Sequence, residues 1–300
     1  MNLISKTKDQ LYYYYPAAFF AKKYTNMPFV SKEKRMKSNT GGISVRPFNG
    51  LIPKEGIAGD LCTFPYDVLD TEEARKLAEG NKYSFLHVNK PEIDFPKEDM
   101  MSLYDDTVYL KAKENIDLFI REGYLERTGK NSLYIYSQTF LGQTQYGLVG
   151  LFSTRQYDND LIKKHENTRT DKEIDRTTLT CVQNANVGPV FLTYRPHESI
   201  DKTVNEIVKR VPDISFKATV SVSDNTEVGH DLWIVNDEKE ISQLISSFDE
   251  NVPAAYIADG HHRAASARRY VMTRAIGREL MCISTNTLKR RSHSVSVQSV

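Results

Sequence analysis

Asp259-Gly260-His261-His262-Arg263 sets a carboxylate, a glycine, two imidazoles and a guanidinium side by side. An apolar run, residues 254–258, leads into them, and Ala264-Ala265-Ser266-Ala267 follows. That pattern predicts a strand ending at Asp259, a turn at Gly260 and a helix starting near His261. Glycine permits a tight turn or a close backbone approach. The first N–H groups of a helix lack partners and its dipole end is positive, so the turn suits an anion. Arg263 adds a fork-shaped donor for phosphate, and His261 and His262 can donate hydrogen bonds or move protons. Asp259 can orient a histidine or hold a cation. A capped helix carrying surface histidines and a salt-bridged arginine is the plainer alternative.

A second group is His165-Glu166-Asn167-Thr168, followed by Asp175-Arg176 ahead of an apolar run. It offers an imidazole, a carboxylate, a hydroxyl and a guanidinium to a ligand or to Mg2+, although charged loops before capped helices also look like this. Phe64-Pro65-Tyr66-Asp67 reads as a turn that can present Tyr66 and Asp67 to a ligand. The expected catalytic set is Asp259, His261, His262, His165 and Glu166. The expected cofactor-binding set is Gly260, Arg263, Arg176, Asp67 and Tyr66. Asp67, His87, His165 and Asp259 are expected to converge on Gly260. Arg263 is read as a surface residue. No metal-ligand set is assigned: zinc held by His165, His261 and His262 is disfavoured, because adjacent histidines on a helix diverge by about 100°.

The elements that must position these groups interleave. Residues 43–47, 84–88, 133–140, 145–152, 190–194, 217–222, 232–235 and 254–258 read as strands. Residues 70–79, 102–121, 169–180, 199–211 and 238–248 read as helices, with a hairpin turn at 142–144. Strict strand–helix–strand spacing is missing, so the expected fold is α+β, a mixed sheet with helices packed on it.

The 300 residues carry 40 basic and 39 acidic side chains, a net charge of +1 that gives no general footing for nucleic acid. No run approaches the roughly 20 apolar residues of a membrane span. Cys62, Cys181 and Cys282 are scattered, as free thiols of a reducing compartment are. Residues 1–40 form a basic segment with a Tyr12–Tyr15 run and no secretory core, expected to be a disordered extension, with organelle targeting as the alternative to a cytoplasmic location. Met36 is an alternative start. Residues 41–283 are expected to form one domain, and 284–300 a polar, basic, disordered tail. Nothing after Arg274 reads as a further strand, so the domain is expected to lack its last part and to leave residues 254–258 exposed.

Three segments in order resemble the family known as domain of unknown function 1015. They are the Phe64–Leu69 stretch with Asn81-Lys82-Tyr83-Ser84-Phe85-Leu86-His87-Val88, then residues 162–168 with Asp175-Arg176 and Asn184-Ala185-Asn186-Val187-Gly188-Pro189, then the Asp-Gly-His-His-Arg signature itself. The Gly260–Arg263 turn is further similar to the Gly-x-x-Arg helix start of the ParB and sulfiredoxin superfamily. That resemblance implies phosphate contacts at Gly260, His261, His262 and Arg263 and a ParB-like element around the turn. The sulfiredoxin cysteine is missing, so its sulfur chemistry does not transfer. The combined expectation is a nucleotide- or phosphate-binding protein acting as a phosphotransferase or nucleotide hydrolase with Mg2+. A non-catalytic nucleotide-sensing module and a nucleic-acid-associated protein are the alternatives.

Overall fold

Local signals set most of the elements. The computed structural model describes residues 20–22, 41–97, 102–221, 226–274 and 279–286. Three short strands come first: β1 (Phe20–Lys22), β2 (Val45–Arg46) and β3 (Leu51–Pro53). Apart from β1, the basic segment 1–40 lies outside the described residues. Helices α1 (Ala58–Leu61), α2 (Thr71–Ala78), α3 (Leu86–Asn89) and α4 (Asp106–Arg121) follow. Asp70 starts α2 by accepting from the Glu73 amide at 2.8 Å, and the Glu73 carboxylate accepts from the Asp70 amide at 3.0 Å. Helix α4 begins at Asp106 rather than near 102, because the Asp105 side chain caps Thr107 N–H.

The strand expected over 84–88 is instead the one-turn helix α3. Phe85, Leu86 and Val88 are all buried. A short run apolar on every side does not distinguish strand from helix. The Asn81 side chain accepts from Tyr83 N–H at 3.0 Å and starts the turn.

The middle of the chain is β4 (Leu125–Arg127), β5 (Leu133–Phe140), β6 (Gln143–Ser153), α5 (Thr154–Asp158), β7 (Ile162–Lys163), α6 (Thr170–Gln183), β8 (Ala185–Val187) and β9 (Val190–Tyr194). The β5–β6 hairpin turns on Leu141 and Gly142, both at positive φ (49° and 75°), one residue earlier than expected. The rest is α7 (Glu198–Ile207), β10 (Ile214–Ser221), β11 (Thr226–Val235), α8 (Glu238–Asn251), β12 (Ala255–Asp259), α9 (His261–Arg274) and β13 (Glu279–Asn286).

The main sheet runs β10-β11-β5-β6-β13-β9-β12-β7, with β2 taking over the β5 edge of β6 at Leu151 and Phe152. It is antiparallel except for the pairs β13–β9 and β12–β7. A smaller sheet runs β4-β3-β1-β8. The architecture is mixed α+β. Phe152, Leu192 and Ile257 of the sheet pack with Ile200 of α7, Phe248 of α8 and Ala264 of α9 in the largest core. A second core sets Phe85, Ile116 and Phe119 against the small sheet.

Two expectations about the end of the fold are corrected. A strand does follow Arg274: β13 lies inside the main sheet, paired to β6 on one edge and β9 on the other. Strand β12 is not exposed along its length, because it lies between β9 and β7 with Ala255 and Ile257 buried. The sequence of β13 runs apolar over residues 280–283 and then polar over 284–286, so it carries no apolar alternation to mark it as a strand. Residues 287–300 lie outside the described residues. No described helix is long and apolar enough to cross a membrane.

Candidate functional site

Strand β12 breaks register at its end, between Ile257 and Asp259, and Gly260 then adopts φ +91°. The Gly260 carbonyl accepts from Ala264 N–H at 2.9 Å, which closes the first turn of α9. Alanine costs the helix no side-chain entropy, and Ala264, Ala265 and Ala267 let α9 lie close to its neighbours. The strand–turn–helix switch is therefore where the sequence puts it.

Arg263 is not on the surface. It is 8 % exposed, and its guanidinium folds back to bond Asp259. Gly260 makes the room. A methyl there would sit 2.8 Å from Arg263 Nε, whereas one on Gly188, also at positive φ, would make ordinary contact 3.5 Å from Cδ. The Gly260 turn lays the first turn of α9 back over the end of β12, so Arg263 pairs with Asp259 before reaching solvent.

Arg176 lies nearby on α6. It bonds Asp175 at 2.8 and 2.9 Å and lies 4.5 Å above the Tyr66 ring. Asp175 also accepts from the Tyr109 hydroxyl at 2.8 Å. Burial pushes the Tyr66 hydroxyl above its ordinary pKa, outweighing the opposing pull of Arg176 and Arg263. Arg176, Asn186, Gly188, Arg263 and Ser266 line a crevice of about 20 Å³. A space of that size holds about one water. Arg176 and Arg263 thus meet at this small crevice, with the Tyr66 ring beside Arg176 but outside its lining. Asp67 is exposed on the one-turn helix Tyr66–Val68 and reaches the group only through its charge on Tyr66. His87 is engaged elsewhere, by Asp94 at 2.6 Å and the Asn81 carbonyl at 3.2 Å. The expected convergence on Gly260 does not extend to it.

His165, Glu166 and His261 do meet. The His165 backbone N–H donates to His261 Nε2 at 3.4 Å, and the two rings stand edge to face with centroids 4.4 Å apart. Glu166 Oε2 lies 3.3 Å from His261 Nδ1, and Oε1 lies 3.7 Å from His165 Nε2. His261 is 4 % exposed, whereas His165 and Glu166 are open to solvent. Burial lowers the His261 pKa, Glu166 working against it. The histidines at 261 and 262 diverge as helix geometry requires. His262 Nε2 accepts from Arg169 N–H at 3.2 Å, on the far part of the same loop. Glu173 bonds Thr168 and also Arg269 of α9, at 3.1 Å, so the loop is tied to α9 at several points.

A groove of about 470 Å³ borders this face of α9. Its wall includes Ala265, Arg268 and Met272, which follow His261 by four, seven and eleven residues and so share its face. Lys164, next to His165, and Arg269 add positive charge. Asp158 pairs with Arg268 at 2.7 Å. Sequence reading passed over Lys164, Arg268 and Arg269. The signal was the spacing from His261 along α9, which an alanine-rich helix without an apolar stripe hides.

The chain belongs to the family described as protein of unknown function (DUF1015), which matches residues 45–287. No curated protein and no solved structure matches the chain.

Proposed function

We propose, starting from that membership, that the chain binds a phosphate-bearing small molecule, a nucleotide first of all, and acts as a phosphotransferase or nucleotide hydrolase. One observation carries this reading. The groove of about 470 Å³ flanks the face of α9 that begins at the buried His261 and brings Lys164, Arg268 and Arg269 to it. Its volume falls in the range of small-molecule sites, roughly 300–1,000 Å³. Phosphoryl transfer needs mainly positioning and positive charge; Lys164 supplies charge directly, whereas Arg268 and Arg269 are paired with Asp158 and Glu173 in the same wall and must exchange those partners for the phosphate. His261 and His165 stand as proton-transfer groups, and Glu166 is the carboxylate beside them, for Mg2+ arriving with the nucleotide or for the acceptor. The similarity of the Gly260–Arg263 turn to the ParB and sulfiredoxin superfamily supports the same ligand class. Arg263 and Arg176 then act behind the site, holding the turn, rather than on the phosphate.

A non-catalytic nucleotide-sensing module is the second reading. It is favoured by Asp259, whose carboxylate is taken by Arg263 instead of serving a reaction. A thermal-shift panel of nucleotides, with and without Mg2+, tests both. A ligand that binds only the folded chain raises the melting temperature. A nucleotide that shifts melting and is consumed supports the enzyme. One recovered intact supports the module. No shift with any nucleotide overturns both.

A further inference from the structure

We infer that His165, Glu166 and His261 form a binding site for a divalent transition-metal ion of the zinc type. One ligand atom from each lies within 4.8 Å of the others. Two imidazoles and one carboxylate are a donor set that zinc hydrolases and non-haem iron proteins use, with remaining positions open to water or substrate. Magnesium prefers an all-oxygen shell and is a poor match.

The placement favours this reading over a chance cluster. His261 is the first residue of α9, fixed by burial and by the Gly260 turn behind it. His165 and Glu166 follow β7 on a loop fastened to α9 through Arg169 to His262 and through Glu173 to Arg269. One ligand is rigid, and the other two sit on a tethered loop with their side chains 59 % and 60 % exposed. Tetrahedral zinc with bonds of about 2.1 Å needs its donors roughly 3.4 Å apart. The exposed pair must therefore close by about an ångström, which free rotamers allow. The three-histidine zinc set weighed from sequence fails at His262, whose ring is held by Arg169. Glu166 stands in its place. The inference does not depend on the phosphate reading, because the metal is bound by the protein's own side chains with no nucleotide present, and where the metal binds it replaces the proton-transfer and Mg2+ roles given above to these three side chains.

The test is calorimetric titration of the full chain, stripped with chelator and free of nucleotide, with Zn2+ and separately with Mg2+. His165→Ala and Glu166→Ala change exposed residues and leave the fold in place, which circular dichroism checks. His87→Ala, whose imidazole is engaged by Asp94, is the histidine control. The expected result is one Zn2+ per chain, weakened at least tenfold in each of the first two variants and within twofold in His87→Ala, with no Mg2+ binding. No Zn2+ binding, or binding that the two loop variants leave unchanged, overturns the site. Weakening as strong in His87→Ala, or Mg2+ binding as tightly as Zn2+, overturns it as well. Failure of the nucleotide panel leaves this result standing, and the reverse also holds.

Discussion

The guanidinium of Arg263 rests directly on the backbone of Gly260, three residues before it, so closely that a Cβ there would lie 2.8 Å from Nε and 3.0 Å from Nη2. Gly260→Ala therefore meets two obstacles, the steric one and φ +91°. Left-handed backbone costs an ordinary residue about 1–2 kcal/mol, and a crowded core site adds about as much again. The expected loss is about 3 kcal/mol by urea denaturation. A variant as stable as the parent would show that the turn has more room than this.

Arg263→Ala removes one half of a mostly buried ion pair and leaves Asp259 behind. Asp259, its side chain 37 % exposed, is then partly hydrated, so the loss falls below the roughly 3–5 kcal/mol of a fully buried pair. The melting temperature should drop well before any ligand is added. A fully stable Arg263→Ala chain that fails to bind ligand would restore the arginine to the surface role read from sequence.

His230 gives the stability a pH dependence. It is buried in β11, stacked between Phe216 and Tyr136, with its Nδ1 2.6 Å from the Tyr136 hydroxyl. Burial lowers its pKa to about 4. A histidine kept neutral in the folded state contributes fully above its unfolded pKa of about 6.5. That contribution is lost as pH falls from there to about 4, amounting at most to about 3 kcal/mol. Denaturation at pH 7, 5 and 4 should show the decline. An NMR titration in which His230 protonates near its ordinary pKa would remove the basis for it.

Asp70→Ala deletes the acceptor that starts α2 and should cost about 1 kcal/mol. The Asp70–Glu73 pair is exposed and lines no part of the groove, so ligand binding should be untouched. A change in nucleotide or metal affinity would mean that α2 is coupled to the site.

What the chain disclosed in advance followed signals confined to a few neighbouring residues. Asp70 with Glu73, the Gly142 hairpin turn to within one residue, and the Asp259–Gly260–His261 switch each state their geometry locally. What stayed hidden depended on distant partners. Arg263 looks like a phosphate donor until Gly188, some seventy residues earlier, folds over it. His165 and His261 are ninety-six positions apart, and no pattern announces that Glu166 rather than His262 completes their group. The role of β13 is likewise set by the two strands beside it, not by its own residues.

That last strand orders events during synthesis. The hairpin arm β10-β11-β5-β6 and the arm β9-β12-β7 share no ladder with each other except through β13. Until residues 279–286 have left the ribosome, β6 and β9 each present a bare edge in the middle of the future sheet. Bare edges are sticky, and contacts so remote in sequence form slowly. The nascent chain should therefore stay protease-sensitive between the two arms and depend on chaperones until residues 279–286 emerge. Pulse proteolysis of ribosome-stalled chains ending before and after β13 would show protection appearing late and all at once.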